Sequence, residues 1–262
     1  MSLWAPHCPL TVPAEYARMY DPELIELPPN VGMPALNEPP NRRESLPALL
    51  AKGMELGLED WRKIWAAHLG LVTYSDDLLG GVIERLKRTG RYENTVALFT
   101  TDHGEHLGQH DMYQKHEMYD QCIRVPLIIK CSGINPVRFD GAVSHLDVVP
   151  TLCELMELPK PERLDGISLV PAMTGGEADE NRSVFGQYIY CKGPGLKRRG
   201  MFNMKWKYSI DEFRDEELYD MQSDVHEEKN LAGNPEYSAI LADMAAKCRK
   251  YHESHGDVYG YN

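Results

Sequence analysis

"TVALFTTDHGEHLGQH" (Thr95–His110) holds the transition that decides how this chain is read. Its first six residues are apolar or β-branched and predict a buried strand. The strand then runs directly into Asp102, His103 and Gly104, with Glu105, His106 and His110 close behind. In an open α/β sheet, ligands sit in the crevice beyond the carboxyl ends of the strands. An oxygen and a nitrogen donor on adjacent residues suit a divalent cation of mixed coordination. Gly104 would let the backbone turn closely around such an ion. The bland alternative is a helix-capping aspartate beside an ordinary surface histidine. Two ligands alone hold a metal weakly, so the decision lies in the surrounding sequence.

Upstream, Trp61, Ile64, Trp65, Leu69 and Val72, then Leu78, Leu79, Val82, Ile83 and Leu86 recur at helical spacing, which predicts a helix over Leu58–Arg88 ending at Gly90. Downstream, "VPLIIKC" (Val125–Cys131) predicts a second buried strand. "SHLDVVPTLCELMELP" (Ser144–Pro159) predicts a helix capped by Ser144 or Asp147, with Pro150 in its first turn. This alternation predicts an α/β layer with a mainly parallel sheet and flanking helices. Beyond residue 160, "SVFGQYIYC", "RRGMFNMKWKYSI" and "ELYDM" read as a small antiparallel meander, and a polar helix over Pro235–His252 closes the chain. Three segments result: a proline-rich, extended surface segment (1–57), the α/β core (58–160) and an α+β subdomain (161–262).

The 262 residues carry 28 basic and 40 acidic side chains, a net charge of -12. So acidic a surface argues against nucleic acid and anionic membrane as partners. No stretch approaches the roughly 18 apolar residues of a membrane helix. The six cysteines are scattered without metal-like spacing and read as reduced, structural residues. "MSLWAPHCPL" has neither the basic start nor the apolar run of a secretory leader, so the sequence assigns no compartment.

Several longer stretches, in order along the chain, resemble the sulfatase family of the alkaline phosphatase superfamily. "NTVALFTTDHGEHLGQHDMYQKHEMYDQCIRVPLIIK" (94–130) is similar to its central metal-and-sulfate segment. "SHLDVVPTLCELMELPKPERLDGISLVP" (144–171) is similar to its "DL.PT" helix and the "G.SL" stretch. "ELYDMQSDVHEEKNLAGNPE" (217–236) is similar to its "ELYDL..DP.E..NL" ending. "YSDDLLGGVIERLKRTGRYENT" (74–95) resembles the helix before the metal strand, and "PHCPLTVPAEYARMYDP" (6–22) resembles the "PH.P...P..Y" segment.

The resemblance implies that Asp102 and His103 ligate a divalent metal: calcium, with magnesium or manganese as alternatives, because many members have asparagine where His103 stands. It implies that Lys115 contacts the sulfate group and that His7 reaches the sulfate or the leaving oxygen as a general acid. His116, beside Lys115, is a further candidate for lining the substrate pocket. His106 and His110 carry no family role and read as surface or supporting residues. Glu105 reads as a helix-terminus acid, and Asp147 as a cap.

The family nucleophile is a formylglycine made within a C/S-x-P-x-R motif, whose hydrated aldehyde attacks sulfur and then expels sulfate. The nearest stretch here, "CPLTVP" at Cys8, does not match it. The expectation is therefore the carboxyl-terminal part of a sulfatase, an incomplete alkaline phosphatase-like fold. It would act on a small-molecule or carbohydrate sulfate ester in the full-length protein and be inactive alone, with self-association through its exposed core. Alternatives are a phosphonate monoester or phosphodiester hydrolase of the same superfamily, and a non-catalytic protein on a decayed sulfatase fold. "YIYCKGPGLKRRG" (188–200) could border a sugar pocket or be a solvated hairpin.

Overall fold

Leucine, tryptophan and isoleucine at helical spacing produce helix α1 (Leu58–Arg88), the spine of the computed structural model, which describes residues 1–40, 56–189 and 197–257. The Asp60 carboxylate accepts from the Gly57 N–H at 3.3 Å at its start, and Arg85, Lys87 and Arg88 crowd its last turn, where the helix dipole favours cations. Gly90, at φ +66°, follows the end. Trp61 is completely buried on the inner face, with Ala66, Gly70 and Leu71 beside it.

Two segments far apart in sequence are fastened to α1. The Tyr16 hydroxyl donates to Asp77 at 2.9 Å, Tyr20 meets Thr73 at 2.7 Å, and the Ser75 hydroxyl donates to the Ala5 carbonyl at 3.2 Å. At Gly70 the Tyr16 carbonyl comes so close that a Cβ would sit 2.8 Å from it. The proline-rich segment is irregular, as expected, but not merely superficial. Asn30, Val31 and Ala35 are buried, and Leu36 bridges to Lys229. On the other side, the Trp65 indole donates to the Leu107 carbonyl at 2.8 Å, and Gly108 lies against the Trp61 ring.

Strands β1 (Ala97–Thr100) and β2 (Leu127–Lys130) fall where the apolar runs predict them, but their pairing is antiparallel, with Ala97 opposite Lys130 and Thr100 opposite Leu127. The mainly parallel sheet is thus corrected: among the described residues every pair of named strands is antiparallel, and the one parallel pairing is the isolated Leu36–Lys229 bridge. A parallel return needs a crossover, usually helical. Here residues 101–126 form a long loop with only a four-residue helix, α2 (Asp120–Ile123), so β2 comes back alongside β1. Nor are these strands fully buried, since Phe99 is 43% and Ile128 62% exposed.

Ser144 and Asp147 form a reciprocal cap ahead of helix α3 (Val148–Leu155), Asp147 accepting from the Ser144 N–H at 2.8 Å. Asp147 does more than cap. Wholly buried, it also accepts from the Ile167 N–H at 2.9 Å and takes both arms of the Arg182 guanidinium, at 2.8 and 3.2 Å. A short helix, α4 (Val170–Thr174), leads to the meander β3 (Val184–Ile189), β4 (Lys197–Phe202), β5 (Trp206–Asp211) and β6 (Glu216–Asp220), in that spatial order. Helix α5 (Ser238–Ser254) lies on it, and Met201, Tyr208, Ile210, Leu218, Met244 and Cys248 form the core between them. Cys8, Cys122, Cys131, Cys153 and Cys248 are in no disulfide. Cys191, with the hairpin tip 190–196, lies outside the described residues.

Candidate active site

Asp102 and His103 leave the end of β1 side by side, the Asp102 side chain 83% exposed. The His103 Nδ1–H donates to the Gly104 carbonyl at 2.8 Å, which places the lone pair on Nε2. That Nε2 stands 3.5 Å from Asp102 Oδ2. Two lone pairs facing each other at that separation repel unless a proton or a cation lies between them. Burial opposes ionisation of Asp102. It is outweighed by attraction to His103 when a proton occupies that Nε2, and by donors from its own backbone, from the His103 N–H at 3.0 Å and from the Thr101 hydroxyl at 3.3 Å, so its pKa lies below the usual value.

Gly104 is required for a different reason from the one its position suggests. A Cβ there would lie 1.9 Å from the Gln121 carbonyl, because Gly104 N–H bonds to the Cys122 carbonyl at 2.8 Å and Glu105 N–H to that of Gln121 at 2.9 Å. The loop is thereby laid flat on α2. Glu105 is no helix-terminus acid. Burial pushes its pKa up to about 7, against the pull of the Lys115 and His7 charges.

Lys115 arrives from the far end of this loop and His7 from the strap on α1. Lys115 Nζ donates to His7 Nε2 at 2.5 Å across 108 residues of chain, while His7 Nδ1–H donates to the Cys8 carbonyl at 2.6 Å. His7 and His103 meet edge to face with ring centroids 5.9 Å apart. Four of the residues picked from sequence thus share one spot: His7 joins Lys115 to His103, and His103 adjoins Asp102. Cys8, for which no chemistry was expected, accepts from the Gln114 amide at 3.6 Å.

The loop that carries Lys115 is conformationally unusual. Leu107, His110, Asp111, Gln114 and His116 all have positive φ, from +49° to +110°, as does Gly108 at +90°. Side chains adopt this region reluctantly, and buttressing from neighbours must hold them there. Of the two readings of His106 and His110, surface or supporting residues, the surface one is excluded, since both are buried. His110 stacks on Tyr119 with ring centroids 3.8 Å apart, and the Gln121 amide meets His106 at 3.2 Å. His116 contacts the Tyr188 hydroxyl of β3 through Nδ1. Burial, then the charges of Lys115 and His103, lower its pKa.

Below the loop lies a buried ionic layer that sequence reasoning missed. Glu117 receives Arg198 of β4 at 2.8 Å, and Arg198 also reaches Asp211 of β5 at 3.3 Å. Lys207 of β5 pairs with Asp120 and, at 2.7 Å, with Glu227. The Tyr119 hydroxyl donates to Glu217 at 3.1 Å. The basic residues of the hairpin are engaged in the same way: Lys197 pairs with Glu212 at 3.2 Å and Arg199 with Asp257. The charges of Lys197, Arg198 and Arg199 therefore serve the fold; Lys192 lies outside the described residues, and among the described residues of that stretch Tyr188 reaches the candidate site.

Asp102 and His103 supply two adjacent donors. Among the described residues no set of three or more His, Cys, Asp or Glu side chains gathers to hold an ion. Their exposure and facing lone pairs nonetheless fit one edge of a cation site.

A family model described as "Sulfatase" matches residues 1–158, and one described as "N-sulphoglucosamine sulphohydrolase, C-terminal" matches residues 108–254. Choline-sulfatase of Rhizobium meliloti is 29% identical over 100% of this chain and 51% of its own length. Among solved structures, a 2-O GAG sulfatase superposes with a TM-score of 0.81 at 29% identity, covering 90% of this chain and 53% of that one. A phosphonate monoester hydrolase from Silicibacter pomeroyi gives 0.79 at 26% identity, covering 97% and 55%. The chain spans about half the length of the curated relatives it matches, 55% and 51% for two of them.

Proposed function

Because the chain belongs to the sulfatase family, we propose that its 262 residues supply the sulfate-gripping and part of the metal-binding side of a sulfuric ester hydrolase site. The observation that carries this reading is the contact of Lys115 Nζ with His7 Nε2 beside His103. It unites a cation, a proton carrier and a metal-competent pair from three separate stretches.

In this reading an ammonium group has three donors, of which Lys115 spends one on His7 and keeps two for the sulfate oxygens. Held at the rim, it offsets the negative charge that grows on those oxygens in the transition state. His7 is oriented by its Nδ1–H bond to Cys8, which leaves Nε2 as the acceptor of Lys115; in this reading Nε2 takes up a proton, giving up that hydrogen bond, before it passes one to the leaving oxygen. Asp102 and His103 would hold the divalent metal, calcium by family resemblance with magnesium or manganese as alternatives, and it would supply Lewis-acid polarisation of the ester oxygens. His116 would face the substrate beside Lys115.

The C/S-x-P-x-R pattern is absent from the 262 residues, so the reading gives them no formylglycine nucleophile and no turnover on their own. The substrate class is a small-molecule or carbohydrate sulfate ester, supported by the named activities of the relatives. Exposed Phe99 and Ile128 support self-association through the β1–β2 face.

The test is calorimetric titration of the purified chain with sodium sulfate in calcium buffer. Sulfate binding that weakens at least tenfold in Lys115→Ala is expected; equal binding by both proteins would refute the assignment. The likeness to a phosphonate monoester hydrolase favours a second reading. Phenylphosphonate binding in preference to phenyl sulfate, with the same Lys115 dependence, would select it. Loss of divalent-metal binding as well as of anion binding would instead point to a non-catalytic protein.

A further inference from the structure

Trp4 is 74% exposed, and a lone exposed apolar side chain is ordinary on a protein surface. Two things set this one apart. The first is its neighbour. The Trp4 ring lies 4.7 Å from that of His7, centroid to centroid, and is inclined to it at 45°. His7 is the side chain that receives Lys115 and meets His103 edge to face. An indole therefore borders the rim at which the sulfate is held. The tilt is neither a stack nor a full edge-to-face contact, and with the residue this exposed, indole surface is left open to solvent. The second is how the ring is presented. The His7 N–H donates to the Trp4 carbonyl at 3.0 Å, closing a turn over residues 4–7. Within that turn the Ala5 carbonyl accepts from the Ser75 hydroxyl of α1 at 3.2 Å. The turn is thus pinned to the helix on one side and to the rim on the other, so the indole has a fixed station. Packing does not account for it: Trp4 belongs to neither buried apolar cluster, whereas Trp61 is completely buried.

We propose that Trp4 is a specificity-determining residue of the sulfate site, its exposed indole stacking on a ring in the alcohol portion of the ester while Lys115 holds the sulfate. The inference rests on the sulfate-gripping role of Lys115 and adds the class of ester. That class is a ring with a flat apolar face, either an aromatic ring or the C–H face of a pyranose. An indole is rigid and wide, so a second flat ring laid on it removes apolar surface from water at little conformational cost. An open-chain alcohol covers less of it. A cationic alcohol such as choline gains attraction to the indole face but is repelled by the Lys115 ammonium nearby. Ring-bearing esters are therefore favoured over open-chain ones, and the proline-rich segment carries the residue that favours them.

The experiment titrates the purified chain, in calcium buffer, with 4-nitrophenyl sulfate, glucosamine 6-sulfate, choline sulfate and inorganic sulfate. Trp4→Ala should weaken the two ring-bearing esters about tenfold, the size of one aromatic contact, and leave choline sulfate and inorganic sulfate within about twofold. Trp4→Phe keeps a ring and should restore most of the loss. A loss confined to the aryl or to the sugar ester sustains the proposal and says which ring the indole serves. Equal weakening of all four ligands, the result if Trp4 merely props His7, would overturn this inference while leaving the sulfate site standing. So would no change in any ligand, or choline sulfate weakened as much as the ring esters. Sulfate binding that survives Lys115→Ala, or no sulfate binding by the parent, would overturn the underlying reading and this inference with it. Thermal unfolding of Trp4→Ala should match the parent, since the side chain removed is mostly solvated, and that match excludes misfolding as the cause.

Discussion

One peptide bond separates two kinds of charge in this protein. Up to His116 the loop carries Lys115 beside His7 at the rim that His103 and the exposed Asp102 complete. From Glu117 onward the same residue types are sunk and paired: Glu117 with Arg198, Asp120 and Glu227 with Lys207, Tyr119 with Glu217. A buried charge must be satisfied within the protein, because desolvation costs more than a poor partner returns. A charge at the rim can be left for a ligand. What separates candidate function from structure here is where the partners come from: the paired layer lies under the strained loop and holds it in place.

The contrast is broken most severely by removing a cation from the sunken layer. Arg198→Met would take away the cation that the buried carboxylates of Glu117 and Asp211 share and should cost about 3–5 kcal/mol. Chemical denaturation would show a lower midpoint or no cooperative transition. Adding Glu117→Gln to that variant should recover part of the loss. If the single variant unfolds like the parent, the buttress is not energetic.

Next in size is Gly104→Ala. Its Cβ would meet the Gln121 carbonyl, so either the loop lifts from α2 or the hydrogen bonds to residues 121 and 122 break, at a few kcal/mol. Because the loop begins at His103, sulfate binding should fall with stability, whereas Arg198→Met alters the loop only from below. A stable Gly104→Ala protein with undiminished sulfate binding would show that loop and rim are not mechanically joined.

Particular residues show how much of this was legible. The bounds of α1, Leu58 to Arg88, could be read because an amphipathic helix writes its period into the sequence. The two apolar strands were legible too, but their direction was not, since pairing direction depends on what lies between them and residues 101–126 carry no crossover helix. Lys115 and His7 could be nominated from their motifs, while their contact, 108 residues apart in sequence, is a tertiary fact. His106 and His110 were read as surface or supporting residues, Arg198 as part of a stretch that borders a sugar pocket or forms a solvated hairpin, and Lys207 carried no reading of its own. No local pattern distinguishes a buried ion pair from an exposed one. Tyr188 was legible only as part of the stretch that could border a sugar pocket, and its contact with His116 is a tertiary fact.

A pH titration sharpens the comparison at smaller amplitude. Burial raises the Glu227 pKa to about 7 from a usual 4.5, despite Lys207, which it shares with Asp120. An acid whose folded pKa exceeds its unfolded one binds more protons when folded, so stability falls as pH rises between those two values. The loss begins near 4.5 and is complete just above 7, at no more than about 1.4 kcal/mol per pH unit. Glu227→Gln should flatten that decline in unfolding midpoints taken at pH 5, 6 and 7.5. A parallel slope in both proteins would mean that Glu227 is ionised throughout and the sunken layer is electrostatically neutralised after all.

The smallest effect on stability belongs to the residue on which the functional reading leans most. Lys115→Ala removes a half-buried ammonium that donates to the His7 ring and whose field lowers the Glu105 pKa. Its loss relieves no buried ion pair and opens no core cavity, so the unfolding free energy should stay within about 1 kcal/mol of the parent. Sulfate affinity should drop at least tenfold, because a charge-assisted hydrogen bond to an oxyanion is roughly twice as strong as a neutral one. Raising ionic strength from 0.05 to 0.5 M should erode sulfate binding by the parent far more than whatever binding the variant retains. Large destabilisation by Lys115→Ala would place this lysine with Arg198 and Lys207 among the structural cations. The rim would then have no group reserved for a ligand's anion, and the division at His116 would vanish.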